Sequence, residues 1–444
     1  MLLAIGVDGA DSPSGGCTTH LASFILLEAR AEGLRPADYP WLVRLNPSIP
    51  HKTRGNGALV VWLKVDSEDE ARSLVKRVES MVEEYAEATG SRSKAGIVSI
   101  LYPDSNAPPP GDTSLEQLYY IALRGVTTRR VALEHLEATR GVIIDATGGN
   151  GVIGAAAAIG ARLDIDHTFE LLFYMPPGLW GGRPLLPAAL VKYIDFTLRP
   201  YGLPNYDYVN DKPLIQPHGP DPVLAGIRAE EPHPLRLAAR LVPHEYYTHA
   251  VLYRTNQHTG VHIRDAMISN VKPYDCVRIC GYVESVRDQP GGHRIARICD
   301  EEACIDAAFY RELGKLTKKA ESLEGLNACV EGCARIHRGR LTLNVERVIL
   351  EDATLARIAR IAPTCPICGR RMKKVSSTSY ACKHCGVEVR GVTALVELRP
   401  SRRVLEPDPS AWHHLYMPYV RALRIIRPRG LAPAREWGEI LLTR

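Results

Sequence analysis

"LLAIGVDGADSPSGGCTTHLASFILLEARAE" (residues 2–32) decides how this chain is read. Its first seven residues form a short apolar run with the length and composition of a buried strand. From Thr18 onward, Leu21, Phe24, Ile25 and Leu26 share one helical face, with Thr18 or Thr19 placed to cap the helix. Between the two lie Asp8, Asp11, Gly15, Gly16 and Cys17. Carboxylates at the end of a strand can hold Mg²⁺, and the N–H groups of a Gly-rich turn entering a helix can receive phosphate. Hydroxyls at that helix start can take a phosphoryl group. The stretch is not a Walker A loop, because G-x-x-x-x-G-K-[ST] is missing. A capped helix after a turn has the same spacing, so a second feature must decide.

That feature comes next in "WLVRLNPSIPHKTRGNGALVVWLKVD" (residues 41–66), a strand, a Pro-marked turn and a second strand. Here Lys52 and Arg54 flank Gly55, Asn56 and Gly57, a second phosphate-type loop able to neutralise charge in phosphoryl transfer. The helix "SEDEARSLVKRVESMVEEYAEAT" and strand "AGIVSILYP" continue an alternation that points to α/β or α+β layering. Near residue 140 a new unit opens with "GVIIDATGGNGVIGAAAAIGARLDIDHTFELLFY", which reads strand, glycine cluster, Ala-rich helix, strand. Its Asp164, Asp166 and His167 are candidates for a metal or for a base. "RAEEPHPLRLAARLVPHE" (residues 228–245) reads as an exposed connection.

After residue 245 the pattern changes to closely spaced short strands with little helix, the signature of a small barrel such as an OB-fold. Tyr253, Arg254, Asn256, Gln257, His258 and His262 gather amides, imidazoles and a guanidinium, suited to RNA or to a well-satisfied turn. Six cysteines fall between Cys276 and Cys333; the default for a cytosolic chain is buried, reduced thiols, intracellular disulfides occur in hyperthermophiles, and the sequence assigns no pairing. "CPICGRRMKKVSSTSYACKHCG" then carries two C-x-x-C knuckles, Cys365/Cys368 and Cys382/Cys385, spaced for one tetrahedral zinc in a ribbon. Arg370, Arg371, Lys373, Lys374 and Lys383 crowd the same hairpin and are candidate phosphate contacts.

Charge follows this division. Of a net +5, residues 364–444 carry an excess of nine cations, which leaves the preceding body mildly acidic. A basic appendage on a separate machine fits a polyanionic partner. In the tail, Arg421, Arg424 and Arg427 share helical spacing, for phosphates or for plain solvent exposure. No apolar run approaches the roughly 20 residues needed to span a bilayer, and the N-terminus lacks a cationic segment before an apolar core. A cytoplasmic location is expected.

Together "DSPSGGCTT", "RLNPSIPHKTRGNGA", "GGNGVIGAAAAIGA", "DHTFEL", "GPDPVLAGIRAE", "YRTNQHTGVH" and the two knuckles resemble the TiaS family. These are archaeal synthetases that install agmatine on the wobble cytidine of a minor isoleucine tRNA. The resemblance covers nearly the whole chain in the family's order. It implies a multidomain α+β protein with a kinase-like α/β domain (residues 1–135), a ferredoxin-like domain (136–240), an OB-fold β-barrel (245–352), a zinc ribbon (360–400) and a basic tail (401–444). It also implies that ATP is cleaved to AMP, the cytosine 2-oxo group is phosphorylated, and agmatine's primary amine displaces the phosphate.

On that resemblance Mg²⁺ is expected on Asp8 and Asp11, with Lys52 and Arg54 across from it and Thr18 at the autophosphorylated position of the C-T-T stretch. Gly15, Gly16, Thr19, Gly55, Asn56, Gly57, Asp164, Asp166 and His167 are expected around the nucleotide, and Arg254, Asn256 and Gln257 on the isoleucine tRNA with a CAU anticodon. Zinc is expected as a structural ion. Two departures stand out: the family opens D-D-T-D where this chain has Asp8-Gly9-Ala10-Asp11, and Gly260 replaces an acid. They keep a second reading open, a non-catalytic or specialised tRNA-binding paralogue with an altered ATP site.

Overall fold

The computed structural model describes all residues except 13, 51, 53, 91–94, 181, 218, 351–356, 377–378, 391–393, 399–403, 424–431 and 444, with 357–361 and 394–398 described by their backbone alone. One large sheet organises the first 255 residues. Its strands are β1 (Leu2–Asp8), β2 (Trp41–Arg44), β3 (Gly57–Lys64), β4 (Gly96–Tyr102), β5 (Val142–Thr147), β6 (Thr168–Tyr174), β7 (Val223–Ala229) and β8 (His249–Thr255). They lie in the order β7-β6-β8-β2-β3-β1-β4-β5, with short strands Arg35–Pro36 and Leu441–Thr443 added on β3 and β8. Every pairing along this order is antiparallel except β8 with β2, where Arg254 faces Trp41 in parallel. That parallel seam is where the two halves meet.

Strand β1 is buried on both faces, which is why it reads as a continuous apolar run. Leu3, Ile5 and Val7 enter one core with helices α1 (Thr18–Ala31) and α2 (Glu68–Ala88). Leu2 and Ala4 enter the opposite core with α3 (Thr113–Arg124), α4 (Arg129–Glu137) and α5 (Gly151–Ile159). The α1 N-cap is Cys17 and not a threonine, and its own side chain makes no capping hydrogen bond. Asp11 Oδ1 instead accepts the Thr18 N–H at 3.4 Å. The glycine cluster before α5 serves packing: a Cβ on Gly151 would come within 2.4 Å of Asp8 O and of Gly96 N, so helix and sheet approach backbone to backbone.

Helices α6 (Ala188–Thr197) and α7 (Pro232–Ala239) complete the first core. Helix α7 lies in the stretch read as an exposed connection. Its Leu235 and Ala238 are buried, so that segment is half of a packed layer and not a linker. Among the described residues no helix is long and apolar enough to cross a membrane.

A five-stranded barrel follows, built from β9 (Cys276–Gln289), β10 (His293–Cys299), β11 (Cys304–Phe309), β12 (Asn327–His337) and β13 (Arg340–Leu350). It closes because β9 pairs with both β10 and β12. Leu316, Ala320 and Leu323, between β11 and β12, pack into its core. The six barrel cysteines, whose state the sequence left open between reduced thiols and disulfides, form Cys276–Cys333, Cys280–Cys329 and Cys299–Cys304. Each pair occupies directly opposed positions on neighbouring antiparallel strands, so no backbone movement is needed to join the sulfurs. The cysteine knuckles then fold as a small hairpin.

The tail is no solvated arm. His258 N–H donates to His414 O and Gly260 N–H to Leu415 O, at 2.8 and 2.9 Å. Arg421 is buried, holding Asp166 through two 2.8 Å hydrogen bonds and Glu230 at 2.9 Å, so its place in a phosphate-binding row is corrected. Arg424 and Arg427 lie outside the described residues.

Candidate active site at the junction of the two halves

A cavity of about 380 Å³ opens beside the β8–β2 seam. From the first half it is lined by Asp11, Thr18, Thr19, Arg44, Arg54 and Gly57. From the second half come Glu170, Asp221 and Arg228, and from the tail His413 and His414. The volume falls within the usual range for small-molecule sites.

Asp11 lines this cavity, whereas Asp8, at the end of β1, is not among its lining residues. Burial pushes the Asp8 carboxyl up to about 7, and the charge of Asp11 adds to the rise. A buried carboxyl with a second carboxylate in its field fits a divalent cation, which would offset both the burial and the repulsion. Asp8 Oδ1 accepts the Gly9 N–H at 2.7 Å, and a Cβ on Gly154 would overlap Oδ2, so α5 presses directly on this carboxylate. The Thr18 hydroxyl accepts the Ala10 N–H at 3.2 Å, which holds the loop to the helix start.

Three tyrosines grip the Cys17-Thr18-Thr19 segment. The Tyr85 hydroxyl accepts from Cys17 N–H at 2.9 Å and donates to Cys17 O at 3.2 Å. Tyr174 and Tyr253, from the second half, reach Thr19 O at 3.0 and 2.9 Å and each other at 2.9 Å. His20 and His249 lie beneath, where burial holds their pKa values down to about 3 and about 4 and keeps both neutral at physiological pH. His258 sits at the cavity wall, lowered to about 3 by burial and then by Arg228.

The basic loop behaves differently from expectation. Arg54 donates to Asp221 at 3.0 Å and to Ser12 O and Gly16 O at 3.2 and 3.0 Å, so it fastens the acidic loop to the second half. Lys52 turns back on its own loop, with Nζ donating to Arg54 O at 2.9 Å, and does not line the cavity. Asn56 is buried on Asn46 O. A Cβ on Gly55 or Gly57 would come within 2.6 or 2.8 Å of the Arg44 guanidinium, so these glycines make room for an arginine.

Asp164, Asp166 and His167 do not reach the cavity. Asp164 is held by Arg162 at 2.8 Å, Asp166 by Arg421, and His167 Nε2 meets Arg254 at 2.7 Å. Acids beside a strand start were open to either use, and here ion pairing consumes them. Arg254, Asn256 and Gln257 are corrected in the same way: all three are buried. Arg254 forms an ion pair with Asp38 at 3.0 Å. Asn256 brackets the Arg44 backbone, accepting its N–H and donating to its carbonyl, each at 2.8 Å. Gln257 donates to Glu170 and accepts from His414 Nδ1 at 2.8 Å.

Sequence reasoning gave no role to Arg44, Glu170, Asp221 or Arg228, although each lies inside a stretch quoted above. Glu170 accepts from Arg228 Nε at 3.0 Å and lies 3.8 Å from Arg44. Asp221 is shared by Arg54 and Arg183.

Elsewhere, the four knuckle sulfurs lie within 4.8 Å of one another, a donor set and spacing that fit one zinc. Gly369 and Gly386 N–H groups each donate at 2.9 Å to the first cysteine of their knuckle. Arg370, Arg371, Lys373, Lys374 and Lys383 are all exposed around it. A second cluster, His262, Glu346 and His413, also lies within 4.8 Å. There His413 Nδ1 accepts the Leu415 N–H at 3.1 Å, which puts the ring proton on Nε2, facing Glu346 at 2.8 Å. A protonated nitrogen is a donor and not a metal ligand, so this cluster is a clasp between barrel and tail.

Known proteins match this architecture along its length. Two family profiles fit, one described as the TiaS TCKD domain over residues 4–145 and one as the TiaS FLD domain over 149–262. The tRNA 2-agmatinylcytidine synthetase TiaS of Hyperthermus butylicus is 38% identical over 438 residues, covering 95% of this chain and 93% of its own. The chain belongs to the TiaS family. A TiaS from Thermofilum pendens is 33% identical over 437 residues, covering 93% of this chain and 94% of its own. Among solved TiaS structures, the complex with its isoleucine tRNA and ATP superposes with a TM-score of 0.75 at 27% identity, covering 98% of this chain and 100% of that one. The complex of TiaS with the same tRNA, AMPCPP and agmatine gives 0.73 at 25% identity, covering 95% and 97%. The resemblance read from the motifs is thus borne out.

Proposed function

We propose that this chain is a cytoplasmic ATP-dependent ligase that replaces the 2-oxo group of the wobble cytidine of isoleucine tRNA (CAU anticodon) with agmatine. The observation that carries this reading is the cavity itself. It joins Asp11, a helix-start threonine and arginines from both halves of a chain whose relatives are named for that reaction. The solved TiaS complexes with isoleucine tRNA, ATP or its analogue, and agmatine support the same substrates.

Cytosine's 2-oxo oxygen is a poor leaving group. In the proposed reaction that oxygen bonds to a phosphorus of ATP as the P–O bond to the departing phosphate chain breaks. Agmatine's primary amine then forms a C–N bond at C2 and loses a proton, while the C2–O bond breaks and phosphate leaves. Asp8 and Asp11 would hold Mg²⁺, which when bound offsets phosphate charge. Gly15, Gly16 and Thr19 would surround the phosphates beside Thr18, and Gly55 and Gly57 would border them from the opposite loop. Arg54 acts by fixing the acidic loop, and Lys52 by shaping its own turn.

The division into kinase-like, ferredoxin-like, barrel, ribbon (360–400) and tail (401–444) segments belongs to this proposal. So do a structural zinc on Cys365, Cys368, Cys382 and Cys385, and RNA contacts from the five exposed ribbon cations. Two bounds of the division move: Val142–Thr147 pairs into the first half expected to end at 135, and His249–Thr255 lies in the large sheet and not in the barrel expected from 245, whose strands begin at Cys276. The test is agmatine- and ATP-dependent mass gain on the tRNA, abolished by Asp11→Ala. A protein that binds the tRNA without modifying it would match the non-catalytic reading.

A further inference from the structure

Arg44 carries an observation that the proposed reaction has not absorbed. It ends β2 at the cavity wall, and its side chain is 13% exposed. Nε is buried with no partner, and neither terminal nitrogen makes a hydrogen bond to any described residue. Its nearest carboxylate, Glu170, lies 3.8 Å away, beyond hydrogen-bond range, and is already held by Arg228 and Gln257. Burial lowers the pKa of Arg44, with Glu170 opposing it most strongly.

Of the neighbouring cations, Arg228 is anchored through Nε on Glu170 at 3.0 Å, a carboxylate contact that Arg44 lacks, and three others are more fully engaged. Arg54 is spent on the Asp221 carboxylate and two carbonyls, and Arg183 on the same carboxylate and four. Lys52 is folded onto its own loop. Set against these three, Arg44 keeps an unspent fork of donors beside the cavity. The surroundings preserve that state: Asn256 fixes its backbone on both sides, and Gly55 and Gly57 clear the space its guanidinium occupies. A nearly buried guanidinium with idle donors is costly unless an anion completes it. Its planar fork matches two oxygens of a tetrahedral phosphoryl group.

We propose that Arg44 is a phosphoryl-binding residue of this cavity, taking two non-bridging oxygens between the C-T-T helix start and Glu170. The inference rests on the ligase reading for the source of the phosphoryl group, which is either the nucleotide chain or the phosphate carried by the base and then released.

The experiment uses the full chain as wild type, Arg44→Ala and Arg44→Lys. Calorimetric titrations with inorganic phosphate and with a non-hydrolysable ATP analogue separate the two sources, beside single-turnover modification of the tRNA. Arg44→Ala is expected to weaken at least one anion by about tenfold or more. It should also slow modification by about 100-fold or more, with tRNA affinity within about threefold. Added guanidinium at millimolar concentration should restore part of the Arg44→Ala rate and leave the wild type unchanged, whereas Arg44→Lys keeps the charge but not the fork. Loss for the analogue assigns the nucleotide, and loss for inorganic phosphate alone assigns the base-borne group. Unchanged binding of both anions overturns the proposal, whether the rate survives or falls without guanidinium rescue. A wild type that modifies no tRNA yet loses anion binding on Arg44→Ala sinks the ligase reading and leaves Arg44 standing.

Discussion

Replacing Arg254 with alanine separates a folding role from an RNA-binding role more sharply than any other single change. The side chain is 1% exposed and its partner Asp38 is fully buried. Arg254 also meets His167 Nε2 at 2.7 Å and Ala432 O at 2.7 Å. After Arg254→Ala, Asp38 keeps the Trp41 indole N–H at 2.8 Å but loses its cation. Stranding one partner of a buried ion pair costs about 3–5 kcal/mol. At about 2–4 °C per kcal/mol for a unit of 150–250 residues, the melting transition of the large-sheet unit should fall by about 6–20 °C. Scanning calorimetry reads that shift. Titration of tRNA across a salt series, below the new transition, should give an unchanged slope. A melting shift under about 2 °C, with a salt slope shallower by about one phosphate contact, would refute the structural assignment and restore an RNA contact.

Other expectations follow from the same geometry. The triangle of Tyr174, Tyr253 and Thr19 O has three short edges but two hydroxyl protons, so one edge is always unbonded. Tyr174→Phe or Tyr253→Phe alone should therefore cost under about 1 kcal/mol, and the pair about 1.5–3, read as kcat and as amide exchange at the start of α1. His20 and His249 are neutral in the fold at pH values where the unfolded chain binds a proton, so stability rises with pH between about 4 and 6.5 and is lost as pH falls through that window. His249→Gln should flatten the slope by about 1.4 kcal/mol per pH unit in denaturant titrations, and an unchanged slope would refute the burial argument. Of eleven cysteines, five are free. Denatured, unreduced, metal-free protein should accordingly take up five alkyl groups, against eleven after reduction. Metal analysis should find one zinc per chain, lost in Cys382→Ser together with part of the tRNA affinity.

What was legible in the sequence followed from how strongly each local pattern constrains the chain. The run Leu2–Asp8 could only be a buried strand, and two knuckles with a glycine after each pointed to the hairpin whose four sulfurs the fold gathers. The barrel showed in the spacing of its strands. Polar residues were harder to place, because a motif says which groups are present and not where tertiary partners lie. Asp166 looked like a ligand until Arg421, 255 positions away, was seen to claim it. Asn256 and Gln257 looked like RNA contacts, yet their amides are what holds Arg44, Glu170 and His414 in place. Gly55 and Gly57 suggested a phosphate cradle, and the structure shows that they accommodate the Arg44 guanidinium. In each case the residue matters to the cavity, but one layer further out than the pattern implied.

The Asp8-Gly9-Ala10-Asp11 opening bears most directly on activity. It retains the first and last carboxylates, Asp8 and Asp11, and lacks the acid and hydroxyl expected between them. Gly9 adopts a φ of 81°, a conformation few other residues take at low cost, and Ala10 is buried in the core. The loop is thus built around these two small residues. Whether it still works is read by incubating the purified protein with ATP, agmatine and isoleucine tRNA bearing the CAU anticodon, then weighing the tRNA by mass spectrometry. The ligase assignment predicts a mass gain on the wobble cytidine that requires both small substrates and disappears in Asp11→Ala. Unmodified tRNA, bound normally by the wild-type protein, would contradict it.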